Sequence, residues 1–251
     1  MKIKLFLLLC SCFLMVGCSS ENYAPVNNAW SQSEEPAGKY RVQQGETLYA
    51  IAWRYDMDYR TLAEINHLHS PYTLETGQIL LLQGSSQESS KNRAVTKKVY
   101  AVKTAKIVKT TTPKKIQQTN NITHQGIQWQ WPAAGQIIST YSPAAGKKGV
   151  DIAGTLGEPI VAAASGKVAY CGNGLRGYGN LIIIKHNDEF LSAYAHNQTL
   201  LVHEGQMVTA GQKIATMGNS ESKRVMLHFE IREAGQSVNP LRYVRPSKDE
   251  K

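Results

Sequence analysis

A long basic and polar run divides this chain into two parts that can fold. Residues 84–125 hold nine Lys or Arg against the single acid Glu88, and Ser, Thr and Gln make up much of the rest. Such a composition buries too little apolar surface to offset the entropy lost on ordering the chain. The run therefore predicts a flexible basic linker between a small module, residues 39–83, and a larger domain, residues 126–246.

The formal charge of the chain, +9, is concentrated in this linker, where nine cations minus one acid give +8. A basic patch on a folded surface favours nucleic acid as a partner. Here the charge lies outside the segments predicted to fold. It therefore favours a solvated tether beside an anionic wall or membrane, and no nucleic-acid partner is predicted.

The N-terminus has the pattern of an export signal. Two lysines precede an apolar run over 5–16, which is shorter than the roughly 20 residues that span a bilayer. The run ends in Met-Val-Gly-Cys, which resembles a bacterial lipobox, so 1–17 is predicted to be a signal peptide and Cys18 the lipidated residue. Ser19 implies the outer membrane in lipoprotein-sorting families. The alternatives are lipidation at Cys12, which few apolar residues precede, or an ordinary secretory signal.

The other polar segments are short. Residues 18–38 and 247–251 lack hydrophobic periodicity and are predicted to be a flexible spacer and a frayed tail. Once the signal is removed, Cys171 is the only cysteine besides Cys18. We expect Cys171 to be buried and not catalytic, because no histidine lies near it in sequence.

The small module has the pattern strand, helix, helix, strand. Apolar residues recur at the i, i+3, i+4, i+7 spacing of one helix face: Leu48, Ile51, Ala52 and Tyr55. Leu62 and Ile65 repeat the spacing, and the apolar run after Gly77 predicts the closing strand. The module is thus predicted to be a βααβ fold.

The module's motif positions resemble those of the LysM family over its whole length. These positions are Tyr40, Val42, Gly45, Glu46, Thr47, Leu48, Ile51, Ala52, Tyr55, Leu62, Asn66, Gly77, Gln78 and Leu80. The resemblance implies binding to the N-acetylglucosamine-containing glycan of peptidoglycan. Gly45, Glu46, Thr47 and the stretch after Asn66 are the predicted glycan contacts, and the apolar motif positions are predicted core.

Seven strand-like runs punctuated by glycine predict a mostly antiparallel β-sheet domain after the linker. Five segments resemble the lysostaphin/LytM-type zinc endopeptidase family: 149–153, 166–168, 177–180, 194–196 and 227–232. The fold class is therefore predicted to be α+β: a βααβ LysM module, a flexible basic linker and a LytM/lysostaphin-like sheet domain.

The resemblance also indicates that the zinc site is incomplete. Such a site needs three protein ligands and an open position for water. Asp151 and His228 match two ligands of the family, and His196 matches a catalytic histidine. The third ligand is matched by Lys147, whose ammonium repels a cation, and a second catalytic histidine by Met226. We therefore predict no catalytic residue, no metal and no cofactor, with Asp151, His196 and His228 as vestigial positions.

Two other histidines in this domain are possible replacements for the lost ligand. His186 is predicted on the strand before 190–196, and His203 in a loop before Gly205. Family members commonly carry a histidine at the position of His186 that does not bind the metal. We therefore predict that neither histidine replaces the lost ligand.

The combination of lipobox, LysM module, basic linker and degenerate sheet domain resembles the NlpD/YgeR group of envelope lipoproteins. The resemblance implies activation of periplasmic N-acetylmuramoyl-L-alanine amidases during cell separation or wall remodelling, by a protein that is not itself hydrolytic. The predicted groove for the amidase is lined by Lys147, Arg176, Tyr178 and Tyr194. Two alternatives are a zinc-dependent endopeptidase with an altered metal site and a passive link between outer membrane and wall.

Overall fold

The computed structural model describes residues 38–83 and 122–246. The first range is the small module, and it has the predicted order of elements. These are β1 (Lys39–Arg41), α1 (Leu48–Arg54), α2 (Tyr59–Ile65) and β2 (Ile79–Leu81). The two strands pair antiparallel, with Tyr40 opposite Leu80. No helix in the two described ranges is long and apolar enough to cross a bilayer.

Both helices begin at a polar cap. The Thr47 side chain accepts a hydrogen bond from the Ala50 N–H, and Asp58 accepts one from Arg60, so each satisfies a backbone donor that the first helical turn leaves free. The apolar positions behind the caps form the core: Leu48, Ile51, Leu62 and Leu80 are fully buried. Tyr55 departs from the predicted stripe, because it caps the C-terminus of α1 and is 39% exposed.

The second range is a β domain built around one large antiparallel sheet. Its strands are β3 (Ile122–His124), β4 (Ile127–Trp129), β5 (Ile137–Ser139), β6 (Val150–Ala153), β7 (Pro159–Val161), β8 (Gly166–Gly172), β9 (Leu181–Lys185), β10 (Phe190–Ala195), β11 (Thr199–Leu200), β12 (Met207–Val208), β13 (Lys213–Thr216), β14 (Met226–Glu233) and β15 (Gln236–Val238). The main sheet has the order β12-β8-β9-β10-β14-β6-β5, with β15 also paired to β14. Strands β11, β13 and β7 form a second sheet, and β3 and β4 a hairpin. Strand β3 starts inside the predicted linker, so the described fold begins before position 126.

The alternation of side chains along β14 separates two faces of the main sheet. Leu227, Phe229 and Ile231 are fully buried in the core shared with the second sheet. Because successive side chains point to opposite faces, His228 and Glu230 lie on the other face. That face carries the candidate site.

The small module packs on this second face. Apolar residues of β8, β9 and β10 belong to the same hydrophobic cluster as the core of the module: Ala169, Leu181, Ile183, Leu191, Ala193 and Ala195. The continuous apolar run of β9 is therefore explained by burial on both faces. Cys171, at the end of β8, was predicted to be buried but is only half-buried. Its Sγ lies 3.1 Å from the Val202 carbonyl oxygen.

Candidate functional site

A cavity of about 320 Å³ opens on the second face of the sheet, at the β14–β6 side. Loops after β5 and before β9 form its rim. Its lining residues are Ser139, Gly146, Lys147, Lys148, Gly149, Asp151, Gly177, Tyr178, His196, His228 and Glu230. The three positions predicted as vestiges of a zinc site, Asp151, His196 and His228, are thus brought together.

His228 is held on both sides by carboxylates. Sheet register places it opposite Asp151, and its Nδ1 lies 2.6 Å from Asp151 Oδ1. Its Nε2 lies 3.0 Å from Oε1 of Glu230, two residues along the same strand. Since a carboxylate only accepts, both ring nitrogens donate, and the ring is an imidazolium.

The pKa values agree with this pairing. Burial by itself lowers the pKa of His228, but the hydrogen bonds to Asp151 and Glu230 and their charges outweigh it and raise the pKa to about 9. Burial raises the pKa of each carboxyl, yet the bonds to His228 bring both below their usual values. Glu230 is also held by the Tyr178 hydroxyl, 2.9 Å away, and by Arg232 Nη2, 3.3 Å away.

These donors do not fit a zinc ion. A histidine ligand must present a deprotonated ring nitrogen, and both nitrogens of His228 carry protons that are shared with carboxylates. The position matched to the third ligand is Lys147, which is exposed on the cavity rim. Within the described ranges, no group of three or more His, Cys, Asp or Glu side chains is placed to hold a metal.

His196 has a different environment from His228. It is 7% exposed, its backbone is left-handed with φ of 64°, and its Nδ1–H donates to the Ser220 carbonyl oxygen over 2.8 Å. Burial lowers its pKa, so the ring is neutral at pH 7. The ring centres of His196 and His228 are 6.1 Å apart. The cavity therefore presents one neutral imidazole beside one charged one.

The predicted groove residues divide into two groups. Lys147 and Tyr178 line the cavity, whereas Arg176 is exposed next to Gly177 and outside the lining. Tyr194 is wrong as a groove contact, because it is fully buried on the opposite face. It lies opposite Phe229 in the sheet, so both rings point into the core. Its hydroxyl accepts the Ala163 N–H there, over 2.8 Å.

The two histidines considered as replacement ligands lie outside the cavity lining. His186 contacts the Ser165 carbonyl oxygen and the Ser192 hydroxyl, at 2.9 and 2.8 Å. His203 is exposed and contacts the adjacent Glu204 carbonyl oxygen. The ring of each histidine therefore already has a hydrogen-bond partner outside the cavity.

Two charged residues of the cavity lining, Lys148 and Glu230, were not among the predicted site residues. Glu230 is at the i+2 position from His228, and two residues on one strand share a face, so strand periodicity gave a signal for it. Lys148 also lines the cavity. Its role depends on a partner far away in sequence, Asp56, and no local pattern indicates it.

The predicted glycan contacts lie at the start of α1. Gly45 is exposed with φ of 78°, in a turn that favours glycine. The Glu46 carboxylate is 5% exposed, pairs with Arg54 at 2.7 Å and accepts the Tyr40 hydroxyl at 2.7 Å. Thr47 caps α1 and also donates to the Ala169 carbonyl oxygen of the large domain, at 3.2 Å. Glycan contact stays a prediction for all three, and Cys18 lies outside the described residues.

Comparison with known proteins assigns both parts of the chain. Residues 40–83 match the LysM domain, and residues 145–240 match peptidase family M23. The chain is thus a LysM protein with an M23-type domain, and a LysM domain implies binding to peptidoglycan.

Full-length relatives identify the group. The chain is 42% identical to the uncharacterized lipoprotein YgeR of Escherichia coli, over 93% of this chain and 89% of that protein. It is 40% identical to the murein hydrolase activator NlpD of Salmonella dublin, over 82% and 67%. It is 37% identical to outer membrane antigenic lipoprotein B of Haemophilus influenzae, over 88% and 67%. The chain belongs to the NlpD/YgeR family of lipoproteins, as its motifs predict.

Proposed function

We propose that this chain is an outer-membrane lipoprotein that binds peptidoglycan and activates a periplasmic N-acetylmuramoyl-L-alanine amidase. It does not cleave the wall itself. Its lipid is on Cys18. The names of the relatives support this direction: NlpD is a murein hydrolase activator, and others are lipoproteins of the outer membrane.

One observation carries the proposal: both ring nitrogens of His228 are bonded to carboxylates, at 2.6 and 3.0 Å. A peptidase of this type needs the side chains at the Asp151 and His228 positions to hold a metal, which in turn binds the attacking water. Here the charges of Asp151 and Glu230 are balanced inside the protein by His228 and Arg232. Because these charges are balanced inside the protein, recognition of a protein segment is left to the rim, where Lys147 is exposed.

The rim determines which segment it recognises. Lys147 is exposed there, and Lys148 is half-buried beside it. Two ammonium groups favour a segment that carries carboxylates or free carbonyl oxygens. An activator of this kind binds the open form of the amidase more tightly than the closed form, which shifts the population to the open form. The lipid and the LysM module add local concentration at the wall.

The test is amidase turnover of dye-labelled wall, with and without the full chain lacking its signal and lipid. Lys147→Glu reverses the charge at the cavity rim and is expected to lower activation roughly tenfold, a loss of about 1.4 kcal/mol of binding. Lys213→Glu is the matched control, since Lys213 is exposed on β13 of the second sheet. Equal activation by both variants would contradict the proposal that the cavity rim binds the amidase.

The two alternatives give different results in the same assay. A zinc endopeptidase releases soluble muropeptides without any amidase, and a chelator suppresses the release. A passive link between outer membrane and wall binds peptidoglycan but leaves the amidase rate unchanged. Activation without chelator-sensitive release is the result that we expect.

A further inference from the structure

The sheet face that carries the cavity continues as an apolar strip. Across from β14, register pairs His228 with Ala195, Glu230 with Ala193 and Arg232 with Leu191. On β9, Ile183 lies opposite Ala193 and extends the strip. Cross-strand partners share a face, so the cavity and the strip form one continuous surface.

The LysM module occupies this strip through helix α1. Trp53 is 2% exposed, and the guanidinium of Arg232 lies 3.8 Å from the centre of its ring. Arg232 also donates to the Trp53 carbonyl oxygen at 2.9 Å. Nearby, Arg54 donates to the Gly174 carbonyl oxygen at 3.0 Å. The strip is therefore covered by a specific, polar-anchored contact as well as by apolar packing.

The contact reaches the cavity rim. Asp56 follows α1 and forms ion pairs with Lys148 of the rim and, at 3.1 Å, with Arg232. Tyr178, which lines the cavity, packs against the cluster shared with the module. The carboxylate that a partner would offer to Lys148 is thus already supplied by Asp56 of the module.

The same contact uses a residue predicted to bind glycan. The Thr47 hydroxyl donates its only proton to the Ala169 carbonyl oxygen, at 3.2 Å. A sugar that takes this hydroxyl as a donor must break the bond to Ala169. A glycan bound through this hydroxyl therefore competes with the contact between the module and the sheet.

We propose that the strip and the rim Lys148 are the docking surface for the partner hydrolase, and that the LysM module covers this surface until wall glycan displaces it. The inference rests on the proposed function and deepens it: the chain activates only where the module is engaged with glycan. The partner element that fits has an apolar face for the strip and a carboxylate for Lys148 and Arg232, as α1 and Asp56 do.

The first experiment measures the cover itself and needs no amidase. Carbodiimide treatment of the full chain joins paired carboxylates and amines directly, and mass spectrometry then quantifies the peptide that links Asp56 to Lys148. We expect this crosslink, and we expect its yield to fall at least threefold with saturating N-acetylglucosamine tetramer. An absent crosslink, or an unchanged yield at saturating tetramer, would overturn the inference.

The second experiment measures activation. Asp56→Lys repels both Lys148 and Arg232. On an N-acetylmuramoyl peptide substrate, which lacks the N-acetylglucosamine chain that displaces the module, it should lower the concentration for half-maximal amidase activation roughly tenfold. Glu64→Lys makes the same charge change on the exposed face of α2 and should leave that concentration unchanged. Equal half-maximal concentrations for Asp56→Lys and the unaltered chain would overturn the inference. If neither chain activates, the proposed function fails, and the crosslink still decides whether glycan moves the module.

Discussion

Replacing His228 by Gln tests whether the site holds an internal ion network. The His228 ring sits between two carboxylates. Its pKa is about 9 in the folded chain, against 6.5 in an unfolded chain. At 1.36 kcal/mol for each pH unit, that difference corresponds to about 3 kcal/mol of folding free energy. Because the folded pKa is the higher one, this stability is fully present below pH 6.5 and is lost as pH rises through 9.

The measurement is urea unfolding of the full chain at pH 6 and at pH 10, followed by far-ultraviolet circular dichroism. His228→Gln should lower the free energy of unfolding by about 3 kcal/mol at pH 6 and by much less at pH 10, where the imidazole is already neutral. His203→Gln serves as control, since His203 is exposed in a loop away from the cavity.

Nuclear magnetic resonance of the ring nitrogens gives an independent readout at pH 7.5. Both nitrogens of His228 should carry a proton there, and the spectrum should not change on addition of zinc. A destabilisation that is the same at both pH values, or a ring nitrogen that shifts on stoichiometric zinc, would refute the reasoning.

Three other predictions follow from the anchor, the lost ligand and the module contact. Cys18→Ala should move the protein from the membrane fraction to the soluble periplasm, as measured by fractionation; retention at the unaltered level would point to another anchor. After dialysis, the full chain should hold well under one zinc per chain by elemental analysis, and Lys147→His should raise that content only if Asp151 and His228 are released from each other. Arg232→Leu should cost about 3–5 kcal/mol in urea unfolding, because Glu230 then keeps a buried charge with one partner fewer; the exposed Arg242→Leu should cost little, and equal losses would contradict the assigned role.

Much of the fold follows from local patterns in the sequence. The i, i+3, i+4, i+7 spacing around Leu48 and Ile51 gives α1, and the order strand, helix, helix, strand is confirmed. The predicted loss of a zinc ligand also rests on residue identity: the ammonium of a lysine at 147 cannot bind a metal as a neutral imidazole does, whatever the fold. The domain boundaries stay predictions, and strand β3 lies on the linker side of one of them.

Orientation within the sheet was only partly available from the sequence. The motif placed Tyr194 near the groove, but pairing with Phe229 turns it into the core. A strand shows its two faces by alternation only when one face is polar, and β10 is buried along its whole length. Pairing partners, which the sequence does not give, decide which face is which.

What the sequence determined by itself is the pair of modules and their motifs, because each depends on residues close together along the chain. The loss of a zinc ligand at position 147 is a prediction from residue identity alone. Tertiary structure decided that His228 is held between Asp151 and Glu230, and that Arg232 stacks on Trp53, a partner 179 positions away. Contacts of this kind depend on which surfaces meet after both modules have folded. The i+2 spacing places Glu230 on the same face as His228, but no spacing or composition along the chain encodes the contacts with Asp151 and Trp53.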